Sequence, residues 1–128
     1  MKIIEQEEVR KLLQPKDCIQ LMAEALKGLE SGEYAQPARL ITVMPNTAKF
    51  GFMPAYVGDY FGAKVISAFA PNMGTKYPSH IGYVMLFESA HSTVAGMIEA
   101  GSITEIRTGA VGAGLKQRLA AEHRAHKV

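Results

Sequence analysis

Phe61-Gly62-Ala63-Lys64-Val65-Ile66-Ser67-Ala68-Phe69 is an apolar run interrupted by a single cation. It is short, rich in β-branched and aromatic residues, and followed by the turn signal Pro71-Asn72, so it predicts a strand over Gly62–Ala70. The flanking sequence repeats the pattern. Runs of Val, Ile, Phe, Tyr and Met predict further strands at Arg39–Met44, Phe50–Tyr56, Gly82–Glu88 and Thr93–Glu99. Pro45-Asn46, Gly58-Asp59 and Ser89-Ala90-His91-Ser92 punctuate them. Connections this short join antiparallel neighbours, which predicts a mixed, largely antiparallel sheet of about five strands.

Helical spacing brackets this block. Pro15 and Asp17 open a helix in which Cys18, Met22, Ala25, Leu26 and Leu29 recur on one side until Gly32 stops it. A shorter helical turn over Glu5–Leu13 places Val9, Leu12 and Leu13 together. A second long helix is expected from Ser102, because Ser102 and Glu105 have capping-box spacing. Its middle, Gly109-Ala110-Val111-Gly112-Ala113-Gly114, lacks bulk and predicts close packing against a sheet or a ligand. Helices on such a sheet define an α+β fold.

With 128 residues the chain holds one domain, spanning 1–128, and 48% hydrophobic residues suffice for a packed core. Fourteen basic against twelve acidic residues give a charge of +2, with no basic face and no Trp, so nucleic acid is set aside as a partner. Cys18 is the only cysteine, which excludes an intrachain disulfide and fits a reducing compartment. The N-terminus has no leader-like apolar core and no segment has the length of a membrane span, so a cytoplasmic protein is expected. The tail 121–128 is polar, and Lys127-Val128 reads as the lead-in to another strand.

Three cations stand out. Lys64 in its apolar run is costly unless it meets an anion; the alternative is an outward-pointing lysine on a half-buried strand, which alternation slightly favours. Arg107 falls early in the capped helix, where the dipole disfavours a cation; a ligand carboxylate or an ion pair with Glu105 or Glu99 would each compensate. Arg39, alone, reads as a solvated strand end, but three cations from separate segments can form an anion pocket. His80 is a loop histidine of low functional weight, and the four histidines lack metal-ligand spacing. The run Gly109–Gly114 reads G-x-x-G-x-G inside a helix, unlike the dinucleotide fingerprint, so no cofactor loop is expected there.

Phe52-Met53-Pro54-Ala55, Gly62-Ala63-Lys64-Val65, Pro78-Ser79-His80 with Val84-Met85-Leu86-Phe87-Glu88, and above all Ile103-Thr104-Glu105-Ile106-Arg107-Thr108-Gly109-Ala110-Val111 resemble the ornithine cyclodeaminase and mu-crystallin family in order and spacing. The resemblance implies a substrate-binding and dimerisation domain that precedes a Rossmann domain holding NAD or NADP and a catalytic aspartate. It implies that Arg39, Lys64 and Arg107 grip a substrate α-carboxylate, that Met53 and Thr108 lie beside it, and that Lys64 also steers protons near an imine. The expected ligand is a small amino, imino or keto acid. Ornithine-using members carry an acidic residue where this chain has Gly51, so a diamino acid is not expected.

In the family, a stretch like 121–128 leads into the first Rossmann strand, so this chain is expected to be a truncated, N-terminal part, inactive alone and binding no cofactor by itself. The alternatives are a stand-alone carboxylate-binding or dimerisation module, or half of an enzyme completed in trans by a separate Rossmann-domain chain. A homodimer is expected through the sheet.

Overall fold

The computed structural model describes residues 1–126; the strand lead-in expected at Lys127-Val128 lies outside them. Six strands and three helices alternate as β1 (Lys2–Ile4), α1 (Gln6–Leu12), α2 (Pro15–Ser31), β2 (Leu40–Val43), β3 (Lys49–Tyr56), β4 (Tyr60–Ala68), β5 (His80–Glu88), β6 (Val94–Glu99) and α3 (Ala100–His126), with a 3₁₀ turn at Ala70–Asn72. The strands form one sheet in the order β1-β6-β5-β4-β3-β2. All neighbours run antiparallel except β1, which lies parallel to β6.

The α+β fold is as the sequence implies, with six strands in place of about five. The additional strand, Lys2-Ile3-Ile4, is too short to show alternation, and its partner Gly96-Met97-Ile98 lies some ninety residues away, so no local signal marks it. Its connection to β6 fixes α1 nearby, and Lys2 Nζ meets Glu8 Oε1 at 2.9 Å.

α2 runs from Pro15 to a C-cap at Gly32, whose φ of 82° is the left-handed conformation that glycine takes without strain. Its buried Cys18 is a free thiol packed in the helix layer. α3 starts three residues earlier than its Ser102-Glu105 spacing implies, at Ala100 in place of Ile103. Glu99, the last residue of β6, turns its carboxylate back to accept from the N–H of Gly101 at 2.6 Å and of Ser102 at 3.0 Å. That carboxylate takes the orphan donors of the first turn, and Glu105 instead pairs with Arg10 on α1 at 2.6 Å.

α3 packs against β5 and α2, while α1 packs against β6 and α3, so the helices cover one face of the sheet. Val9, Cys18, Ala100 and Ala110 are the buried apolar residues of that layer. The close packing expected along Gly109–Gly114 is not realised at Gly109 or Gly112, where a Cβ would meet open space. These glycines lie on a stripe of α3 turned away from Ala110; Gly114 alone approaches α2, 3.8 Å from Ile19.

The opposite face of the sheet carries no helix. Phe50, Val65, Ile81, Tyr83, Met85 and Met97 line a shallow apolar depression of about 420 Å³ there. Phe61 and Phe87 stack beside it with centroids 5.3 Å apart. Phe50 and Phe52 remain 41% and 42% exposed, well above what a core position shows. No helix among the described residues is long and apolar enough to cross a membrane.

Candidate functional site

Strand register decides which way Lys64 points. Lys64 pairs with Met53 on β3 and with Val84 on β5, which in turn pairs with Ile98 on β6, so these four share one face. Lys64 Nζ donates a long hydrogen bond of 3.5 Å to Thr104 Oγ1 on α3, which identifies that face as the helix-covered one. The outward-pointing alternative for Lys64 is therefore not the one adopted. Thr104 is fixed in turn by donating to Ala100 O at 2.9 Å.

Burial, and then the positive charge of Arg107, hold the Lys64 ammonium below its ordinary value of 10.5. Neither Lys64 nor Arg107 forms an ion pair among the described residues, and Arg107 stands at an exposed position of α3. The partners that would have neutralised Arg107 are engaged elsewhere, Glu105 by Arg10 and Glu99 at the helix start. Thr108 follows Thr104 by one helical turn and shares its stripe of α3.

Arg39 joins by register. Leu40 pairs with Phe52, so Arg39, one residue earlier, lies level with Met53 and Lys64, two strand spacings or roughly 10 Å from Lys64. Register thus sets Arg39, Met53 and Lys64 in one row, and Thr104 ties Lys64 to α3, on which Arg107 and Thr108 occupy exposed positions. His80 is not among them: at the start of β5 it stands four residues from Val84, roughly 13 Å along the strand.

One feature escaped the sequence reading, and one residue read as a helix cap plays another part. Thr104 is the contact that turns Lys64 inward, and its signal was the four-residue spacing to Thr108 within one motif. Ser102, 1% exposed, is the other: its hydroxyl has no partner of good geometry among the described residues, although it lies close enough to help keep Glu99 ionised. For Glu99 itself, burial raises the carboxyl's pKa, but hydrogen bonds from Ser102 and Gly101 and the charge of Arg10 outweigh it and leave a net lowering. The α3 N-terminus is thereby already occupied by a carboxylate of the chain.

No group of three or more metal-ligating side chains occurs among the described residues. The run Gly109–Gly114 is no dinucleotide cradle: Gly109, Gly112 and Gly114 lie within the uninterrupted helix α3, not at a strand-to-helix turn where backbone N–H groups would face a pyrophosphate.

A sheet with one helix-covered and one open apolar face defines an α+β domain, with Lys64 on the covered face. The chain belongs to the ornithine cyclodeaminase/mu-crystallin family, whose model matches residues 1–126. Ketimine reductase mu-crystallin of Mus musculus is 30% identical over 95 residues, 72% of this chain and 30% of its own length. Among solved structures, Thermococcus litoralis Δ1-pyrroline-2-carboxylate reductase in complex with NADH and L-proline has a TM-score of 0.80 at 25% identity, over 88% of this chain and 36% of its own. An archaeal alanine dehydrogenase dimer with bound NAD matches in fold with a TM-score of 0.80 at 24% identity, over 86% of this chain and 34% of its own. The chain thus spans about a third of the length of these relatives.

Proposed function

We propose that this chain is the substrate-holding and subunit-pairing part of an NAD(P)-dependent enzyme acting on small amino or imino acids. The observation that carries the proposal is Lys64 turned under α3 onto Thr104, within the influence of Arg107 on the same helix, with neither cation paired to a carboxylate among the described residues. Such an arrangement costs free energy until an anion enters. A ligand α-carboxylate supplies it. The Arg107 guanidinium offers two parallel donors, Lys64 a third point of charge, and Arg39 closes the cleft from the β2 side. Met53 lies beneath the ligand between Arg39 and Lys64, and Thr108 lines the α3 wall.

With the carboxylate fixed at several points, the α-carbon is held in one orientation, which is the contribution that positioning makes to a transfer reaction. The lowered pKa of Lys64 also makes its proton easier to release, so Lys64 is suited to move a proton at a nearby imine nitrogen. When bound, NAD or NADP supplies the hydride chemistry. The described residues do not form its cradle, so it is held by other chain, whether continuous with this one or separate. By themselves these residues bind the carboxylate and leave the cofactor unbound.

The open sheet face supports a homodimer. An apolar face with large, partly exposed aromatic residues is costly in water, and a second copy would cover it by the same surface. The single, packed, reduced Cys18 fits a cytoplasmic setting.

Titration calorimetry of the chain with 2-oxo acids and amino acids tests the carboxylate role. Wild type should bind and Arg107→Ala should lose at least tenfold in affinity; equal affinity in both proteins refutes it. The same preparation, given NAD(H) and candidate imino acids, should show no turnover. Turnover would show that the 128 residues are a complete enzyme. A stand-alone carboxylate-binding module is favoured over an enzyme part if binding is tight and no cofactor-holding chain restores turnover.

A further inference from the structure

We propose that Lys64 is a nucleophile as well as a charge: as a free amine it condenses with the carbonyl of a 2-oxo acid and holds the acid through an imine. The reactivity rests on the surroundings of Lys64 alone. Only the choice of an acid rests on the carboxylate reading above.

Lys64 is half-buried, whereas every other lysine among the described residues is exposed. Its nearest neighbours on the covered face are Gly62 and Ile66 along β4, Met53 across on β3 and Val84 across on β5. None of these side chains carries a charge, an oxygen or a nitrogen. No carboxylate among the described residues pairs with Lys64, in contrast to Lys2, which meets Glu8 at 2.9 Å. Its hydrogen bond goes to Thr104 Oγ1 at 3.5 Å. Thr104 commits its own proton to Ala100 O, so towards Lys64 it can only accept. An acceptor engages one N–H and leaves the lone pair of the free amine unoccupied.

Two conditions that activate a lysine meet here, removal from water and a neighbouring cation. The apolar neighbours supply the first and Arg107 the second, and both lower the Lys64 pKa. Once the ammonium has given a proton to solvent, the nitrogen attacks C2 of the acid. A C–N bond forms as the carbonyl π pair moves to oxygen. One amine hydrogen passes to that oxygen, the other leaves with it as water, and the C=N bond is complete; nothing is oxidised or reduced. In a 2-oxo acid C2 is bonded directly to the carboxylate, so an acid drawn in by the charge of Lys64 brings its electrophile to the same nitrogen. The captured acid then stands at the oxidation level of an imine.

Reductive trapping tests this. The 128-residue chain is treated at neutral pH with sodium cyanoborohydride and either pyruvate or acetaldehyde, which has a carbonyl but no carboxylate. Peptide mass spectrometry then reads the adduct at each lysine. Acetaldehyde should label Lys64 roughly tenfold faster than the exposed lysines. Pyruvate should widen that lead by about tenfold again, because only it carries the anion. Lys64→Arg, which keeps the charge, should lose the fast-forming adduct with both reagents while retaining the circular dichroism of wild type. Labelling of Lys64 by acetaldehyde no faster than of exposed lysines overturns the nucleophile, and pyruvate binding seen by calorimetry would still leave the carboxylate reading intact. A lead with acetaldehyde that pyruvate does not widen overturns the acid as the partner, and the carboxylate reading with it.

Discussion

Replacing Lys64 by Met should make the protein more stable and a poorer binder at once. The ammonium is partly buried, lies near Arg107, and has only a 3.5 Å hydrogen bond to Thr104 as recompense. Methionine keeps the length of the side chain and removes the charge. Discounted for the solvent that still reaches the ammonium, relief from desolvation and like-charge repulsion should amount to about 1 kcal/mol. For a domain of this size that corresponds to a rise in Tm of roughly 3–5 °C. The same change deletes a charge-assisted hydrogen bond to the ligand carboxylate, a loss of about 1.5–3 kcal/mol, or roughly 10- to 150-fold in affinity. Thermal denaturation followed by circular dichroism, with calorimetry on the same samples, measures both. pH supplies a further check. Because the folded pKa of Lys64 lies below 10.5, the cost of holding the ammonium is complete below that folded value and is relieved as pH rises from it towards 10.5, where the unfolded chain binds more protons than the folded one. The stability advantage of Lys64→Met should therefore shrink in that window. A variant that melts lower than wild type and binds 2-oxo acids equally well would refute the argument and make Lys64 a structural residue.

Three further outcomes follow from the packing. Gly51→Ala should cost about 1–3 kcal/mol in chemical denaturation because its Cβ meets Ile66, and the double variant with Ile66→Ala should recover most of it; Gly82→Ala should not be rescued, since its Cβ also meets Val65 O at 2.9 Å. Glu99→Ala, which strips the start of α3 of its acceptor, should cost about 0.5–2 kcal/mol by the same measurement, and no loss would mean that the cap is not significant in solution. Met97→Asp on the open face should convert a dimer to a monomer in light scattering without altering affinity for a carboxylate; a wild type that is monomeric at high concentration removes the basis for pairing.

Much of the fold is legible in the sequence because the strands are dense in Val, Ile and Phe and the turns between them are marked by Pro, Gly and Asn. Lys2-Ile3-Ile4 shows where that legibility ends: three residues carry no period, and the pairing that makes them a strand is with residues at the other end of the chain. Competition between two acids explains the start of α3. Glu105 has the capping spacing, but β6 delivers Glu99 to the free N–H groups first, and α1 presents Arg10 to Glu105. For the candidate site, the motif around Arg107 and Thr108 marks the residues, yet the direction of Lys64 is misread because both faces of β4 are apolar and the weak alternation favours the outward side. Register settles it, together with Thr104. The clasp of Ile66 between Gly51 and Gly82 is likewise invisible in one dimension, since the three residues are neighbours only across the sheet.

Lys64 and Val65 are covalent neighbours that serve opposite sides of the molecule, the first the cation cleft and the second the open apolar face. Inserting or deleting a single residue near the start of β4 would exchange those roles along the strand, pushing the lysine onto the open face and an aliphatic side chain into the cleft. Relatives should therefore differ in this segment by substitution alone, and length variation should collect in the turns at 44–48, 57–59 and 89–93 instead.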